Sequence, residues 1–148
     1  MKIKTEAIIL DLDGTLCDNT ERSNIIADPR EWTHLYTSIP NDKLNTWAYE
    51  LAVNMSVNGL NVLLVTGRPA KYRKTTNNWL KTHCEVKFYD SLYMRLNNDF
   101  RPDHFVKKDI LKTILLKHDV LFAIDDRVSV CNMFYDEGIT ALYCGGKL

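Results

Sequence analysis

The chain is 148 residues long, at 17.1 kDa about one domain's worth of sequence. Its residues are 45% hydrophobic and 26% charged, an ordinary globular balance that excludes a disordered, collagenous or coiled-coil chain. Nineteen basic residues cancel nineteen acidic ones, which argues against coating duplex DNA through bulk charge but leaves room for a local basic groove.

The N-terminus, Met1 to Glu6, is too polar to begin a signal peptide, and no apolar run reaches the length of a membrane span. A cytoplasmic location is therefore expected. The four cysteines, Cys17, Cys84, Cys131 and Cys144, form no CxxC pair and read as reduced thiols.

Ala7 to Leu10 is a short apolar run ending at Asp11, as in a buried parallel strand. Residues 13–40 are polar and lack periodicity. Asn41 or Asp42 then caps an expected helix that carries Leu44, Trp47, Ala48, Leu51, Ala52 and Met55 on one face and stops at Asn58-Gly59. Asn61 to Val65 reads as a second strand. Pro69 suits the first turn of a helix running to His83. Residues 86–94 hold one or two short strands, and 97–102 a loop. A helix is expected from Asp103 to Lys117, a strand from Val120 to Ile124, a helix from Val128 to Glu137 and a last strand from Ile139 to Tyr143. This alternation predicts an α/β sandwich, a mostly parallel sheet with helices on both faces. Ligands of such sheets bind beyond the carboxyl ends of the strands.

Three strand ends carry polar groups. Asp11 and Asp13 are two residues apart in an extended segment, so they start on one side, and Gly14 lets the chain turn away. Two carboxylates this close repel, and oxygen ligands favour Mg²⁺ between them. The plainer reading of a lone DxDG is a turn with capping aspartates. Asp125 and Asp126 follow the apolar Phe122-Ala123-Ile124, where adjacent carboxylates need a counter-charge, although one of them could cap the next helix. Thr66-Gly67-Arg68 offers a hydroxyl and backbone N–H groups at an expected helix start, a phosphate cradle. Lys107 heads the apolar stripe of Ile110, Leu111 and Ile114, where a solubilising lysine would be misplaced, whereas Lys108 reads as surface charge.

In this order, Asp11-Leu12-Asp13-Gly14-Thr15, Thr66, Lys107 and Asp125-Asp126 resemble the four motifs of the haloacid dehalogenase (HAD) superfamily. Within it, Val65 to Arg68, Met94-Arg95, Asp99 to Asp103, Val106-Lys107 and Ala123 to Arg127 are most similar to the phosphatase half of the bacteriophage polynucleotide kinase-phosphatases. No GxxxxGK[ST] kinase loop is present in the sequence, and residues 17–40 match poorly. The resemblance implies a Rossmann-like three-layer sandwich and phosphomonoester hydrolysis through an aspartyl-phosphate. It implies Asp11 as nucleophile, Asp13 as general acid and then base, and Lys107 as the cation holding the nucleophile charged. Mg²⁺ would be held by Asp11, the Asp13 carbonyl and Asp125 or Asp126. Gly14, Thr15, Thr66, Gly67 and Arg68 would hold the phosphoryl group.

Between Asp13 and Thr66, fewer than about thirty residues remain for a flap once the expected helix is counted, so a single domain with a flap at 17–40 and no full cap is expected. An open site suits a large substrate such as a nucleic-acid end, or a separate kinase or ligase partner that completes the pocket. Arg22, Arg30, Arg68, Arg95, Arg101 and Arg127 could track a phosphate backbone. Of these, Arg68, Arg95 and Arg101 are expected at the mouth and the others on the solvated surface. Trp32, Tyr36 or Tyr93 could stack on a base, against a plainer role in core packing. The expected substrate is a polynucleotide 3′-phosphate. The rival expectations are a 5′(3′)-nucleotidase acting on nucleoside monophosphates and a silent HAD-like binding module.

Overall fold

The structure, a computed structural model, describes residues 3–23 and 32–146. Five parallel strands, β1 (Thr5–Leu10), β4 (Asn61–Pro69), β5 (Ser91–Arg95), β6 (His118–Asp125) and β7 (Thr140–Tyr143), form one sheet in the order β5-β4-β1-β6-β7. Two short antiparallel strands, β2 (Cys17–Asp18) and β3 (Lys43–Leu44), make a separate ribbon. The helices are α1 (Thr20–Ser23), α2 (Trp32–Thr37), α3 (Thr46–Val57), α4 (Arg73–His83), α5 (Asp103–Ile114) and α6 (Val128–Asp136).

The central strands are apolar along their length because both faces of the sheet are covered. The period of two sorts them. Ile8, Leu10, Val62 and Leu64 pack with Ala48, Ala52, Trp79 and Leu80 on one side. Ala7, Ile9, Leu63 and Val65 pack with Leu111, Ile114, Val130 and Phe134 on the other. This is the expected three-layer α/β architecture. The chain winds outward from β1 through β4 to β5, then crosses back through α5 to β6. The sheet's switch point therefore lies at the carboxyl end of β1, beside those of β4 and β6.

Two helix starts differ from expectation. The helix expected from Asn41 or Asp42 begins at Thr46, behind a 3-10 turn (Ile39–Asn41) and β3, with Asn45 at the cap position. Asp42 is buried and spends its carboxylate on an arginine instead of on a cap. The helix expected at Pro69 begins at Arg73, after a 3-10 turn (Ala70–Tyr72). Residues 67–69 stay extended because β4 continues past an irregularity and pairs Pro69 with Arg95 of β5. Residues 86–94 hold one strand, which starts at Ser91. Among the described residues, no helix is long and apolar enough to cross a membrane.

Candidate active site

Asp11 leaves the end of β1 and is 3% exposed. Its Oδ1 accepts from Lys107 Nζ at 2.8 Å and its Oδ2 from Thr15 Oγ1 at 3.0 Å. Lys107 reaches in from α5 and also donates to Asp125 Oδ2 at 2.6 Å, with Asp103 Oδ2 at 3.2 Å. Burial alone would lower the pKa of this ammonium, but Asp103, Asp11 and Asp125 outweigh it and hold it well above the usual lysine value. Lys108, one residue on, lies on the surface and pairs with Glu137 at 2.5 Å.

Asp11, Asp125 and Asp126 each offer an oxygen within 4.8 Å of the others. Burial raises the Asp11 carboxyl well above its ordinary pKa; Lys107 pulls it down, while Asp125 and Asp126 push it further up. Burial and Asp125 raise Asp126 to about 6. One lysine does not neutralise three crowded carboxylates. A hard divalent cation fits this oxygen set and would supply the missing charge. Gly14 is required beside it: its φ is +82°, and a Cβ there would fall 2.1 Å from Asp126 Oδ2.

Asp13 belongs to a different cluster. Arg68 Nη2 donates to its Oδ1 at 2.6 Å and Arg68 Nε to its Oδ2 at 3.0 Å, while Arg22 Nη2 pairs with Oδ1. Arg22 Nε also donates to Asp42 Oδ1 at 2.8 Å. Burial would raise the Asp13 pKa, but Arg68 and then Arg22 overcome it and hold the carboxyl far below the usual range. Asp13, Cys17 and Asp42 also come within ligand spacing of one another. The two guanidiniums already neutralise that group, and burial keeps the Cys17 thiol protonated. The Asp13 carboxylate is thus turned to the arginines, while Asp11, Asp125 and Asp126 make the metal-competent cluster.

A cavity of about 190 Å³ opens over Asp11 and Asp13, with Gly67, Arg95, Asp126 and Arg127 in its wall. Asn19, Ser23, Leu35 and Tyr36, from the segment read as a flap, close another side. Gly67 leaves the room that Asp103 fills, since a Cβ there would lie 2.3 Å from Asp103 Oδ1. Thr66 is fully buried, and its hydroxyl accepts from Arg68 N at 3.2 Å.

The arginines depart most from expectation. Arg68, expected at the mouth, is wholly buried, because the extended 67–69 backbone drives it beneath Asp13. Arg22, expected on the surface, is 3% exposed. Arg95 is a strut: its guanidinium donates to the carbonyls of Gly67, Asp99 and Arg101 and to Asp103 Oδ1. Arg101 is exposed, pairs with Asp99 and Asp109, and faces a groove along α5 away from this cavity. Tyr36 is buried, with its ring 4.8 Å from that of Tyr72, and Tyr93 packs against the core on the α5 side. Arg30 lies outside the described residues, as does the side chain of Trp32.

Residues 5–145 match the family described as the polynucleotide kinase PNKP phosphatase domain. The chain belongs to that family. It is a phosphatase domain of the HAD type. It is 25% identical over 138 residues to a viral protein named as a bifunctional polynucleotide kinase/RNA ligase, from Autographa californica nuclear polyhedrosis virus, covering 93% of this chain and 19% of that protein. Among solved structures it resembles a chain of the Pnkp1/Rnl/Hen1 RNA repair complex, with 33% identity and a TM-score of 0.79 over 95% of this chain and 42% of that one. A class C acid phosphatase from Bacillus anthracis, solved with tungstate bound, shares the fold at 14% identity and a TM-score of 0.70, covering 96% of this chain and 67% of that one. The chain thus spans less than half the length of the polynucleotide-repair relatives it matches.

In this PNKP-type domain, three charged residues that brace the site were given no such role by the sequence: Asp103, Asp42 and Arg22, the last expected only as a surface cation. Asp103 holds Lys107 and Arg95, and its only local signal was the i,i+4 spacing to Lys107. Asp42 and Arg22 meet across twenty residues of a segment without periodicity, so no local signal pointed to them.

Proposed function

We propose that this domain hydrolyses a terminal 3′-phosphate from a polynucleotide through an aspartyl-phosphate on Asp11, with Mg²⁺ as the metal. The observation that carries the reading is the separation of Asp11 and Asp13, two residues apart, into one cluster short of positive charge and another that is neutralised. A nucleophile and a proton-transfer group need such different surroundings. Asp11, Asp125, Asp126 and the Asp13 carbonyl would hold the metal, which would supply positive charge to the phosphoryl group and favour the ionised form of Asp11.

Asp11 attacks phosphorus as the bond to the 3′-oxygen breaks. Asp13 passes a proton to that oxygen, then takes one from the water that releases phosphate and regenerates Asp11. Arg22 and Arg68 hold Asp13 ionised before substrate arrives. The first proton therefore enters with the ester as its monoanion, whose second pKa is about 6. Lys107 and Thr15 orient the Asp11 carboxylate. Gly14, Thr66 and Gly67 are the phosphoryl cradle in this reading, while Arg68 and Arg95 act by positioning Asp13 and Asp103.

The cavity supports a large substrate. At about 190 Å³ it is smaller than the roughly 300–1,000 Å³ of sites that engulf a small molecule. It has room for a phosphoryl group and part of a sugar, so the remainder stays outside. Residues 17–40 would act as a flap over the sugar, since Asn19, Ser23, Leu35 and Tyr36 line that side. A kinase or ligase partner, on the same or a separate chain, completes the reading; the names and greater lengths of the relatives support it. The test is phosphate release from 3′-phosphorylated oligonucleotides against nucleoside monophosphates, with and without Mg²⁺. A mononucleotide kcat/KM well above that of the oligonucleotide replaces this substrate with a nucleotidase one.

A further inference from the structure

Among the described residues, the cations around the cavity are almost all spent on the protein itself. Arg22 and Arg68 hold Asp13 and Asp42. Lys107 serves Asp11, Asp103 and Asp125. Arg95 serves Asp103 and three carbonyls, and Arg101 pairs with Asp99 and Asp109 outside the cavity. Arg127 is the exception. It lines the cavity, and its side chain is exposed. Its backbone N–H donates to Asp125 Oδ1 at 3.0 Å, which fixes where the side chain leaves the chain. Among the described residues, its guanidinium makes no hydrogen bond or ion pair; Asp103 and Asp126 are its strongest electrostatic neighbours without closing on it.

We propose that Arg127 binds the internucleotide phosphate next to the terminal 3′-phosphate and so sets the preference for a strand over a mononucleotide. This rests on the polynucleotide reading above. A cation meant for the transferred phosphoryl group would lie at the buried end, as Lys107 does at 2% exposure. Arg127 instead stands where the part of the substrate too large for the cavity must pass. A planar guanidinium with all five N–H donors available suits a phosphodiester, which it can grip with two parallel bonds. The α6 N-terminus that starts just after Arg127 adds its positive end to the same rim.

The experiment compares a 3′-phosphorylated dinucleotide, which has one internucleotide phosphate, with the matching nucleoside 3′-monophosphate, which has none. Arg127→Ala should lose about tenfold more kcat/KM on the dinucleotide than on the monophosphate, chiefly through KM, and Arg127→Lys should recover part of it. The wild-type KM for the dinucleotide should rise more steeply with salt than that for the monophosphate, by a slope close to one phosphate contact. This measurement needs no variant to fold. Equal losses on the two substrates, or equal salt slopes, overturn the assignment of Arg127. If the wild type instead prefers the monophosphate, the polynucleotide reading itself fails, which is a separate and distinguishable result.

Discussion

Asp11 and Asp13 leave the same strand end two residues apart, yet they live in opposite electrostatic settings. Around Asp11, three carboxylates crowd one lysine, and the Asp11 and Asp126 carboxyls are pushed toward protonation. Around Asp13, two carboxylates meet two buried guanidiniums, and Asp13 is held ionised. The first cluster carries excess negative charge that a divalent cation would offset. The second is neutralised, which keeps Asp13 in one place and one protonation state. On the proposed mechanism, the difference lets one short motif yield a nucleophile and a proton carrier: the partners, contributed by other elements, set each group's electrostatic surroundings.

The largest effect should come from breaking the first cluster at its centre. Asp11→Asn keeps the shape and removes the attacking charge, so turnover should fall by at least about 10⁴-fold while circular dichroism stays native. Residual steady-state turnover, with deamidation excluded by mass spectrometry, would sink the nucleophile assignment. Lys107→Ala should cost on the order of 10²–10³ in kcat, because it unpairs Asp11 and Asp125. Lys108→Ala should stay within about twofold, since it loses only a surface ion pair. Comparable losses in the two lysine variants would erase the distinction between buried and surface charge.

The second cluster is probed through pH. Arg22→Met leaves the partly buried Asp13 and the buried Asp42 with one guanidinium fewer, at a cost of about 3–5 kcal/mol in urea unfolding. It should also raise the Asp13 pKa. In the wild type, kcat/KM should decline as pH rises through about 6, because the incoming proton belongs to the free substrate. In Arg22→Met the limb should stay where it is, because Arg68, the stronger of the two cations, still holds Asp13 ionised; the destabilisation should instead shrink as pH falls below about 4, where the unfolded chain protonates its aspartates. A destabilisation equally large at pH 7 and pH 3 would mean that Arg22 does not govern Asp13.

The smallest effect concerns metal binding to the resting protein. Asp126 is raised to about 6, so in the metal-free fold it binds a proton that the unfolded chain releases at a lower pH. Its ionised form is therefore a destabilising contribution, complete above pH 6 and relieved as pH falls from 6 toward 4. Mg²⁺ should relieve it differently, by binding the ionised group. The rise in Tm on adding Mg²⁺ should be larger at pH 7 than at pH 5, where a proton must first be displaced. Differential scanning calorimetry with EDTA and Mg²⁺ measures it; a rise independent of pH would take Asp126 out of the metal cluster.

The sequence by itself determined the sheet and the ends of its strands. Ala7 to Leu10, Asn61 to Val65 and Val120 to Ile124 are apolar runs that only a sheet covered on both faces accommodates. The polar residues beyond them then had to meet at the switch point, and the phase of the α5 stripe was enough to separate Lys107 from Lys108. The arginines were another matter. Arg22, Arg68, Arg95, Arg101 and Arg127 carry the same charge and have no periodic pattern around them. Which is buried, which braces a loop and which is free depends on where distant carboxylates and carbonyls fall. Arg68 became a buried partner of Asp13 because β4 continued past Thr66, a consequence of its pairing with β5. Asp42 became a counter-ion because the cap of α3 fell at Asn45, three residues beyond it. Strand and helix periods act over neighbouring residues, whereas charge pairing is decided by proximity in space, and only the tertiary structure supplies that.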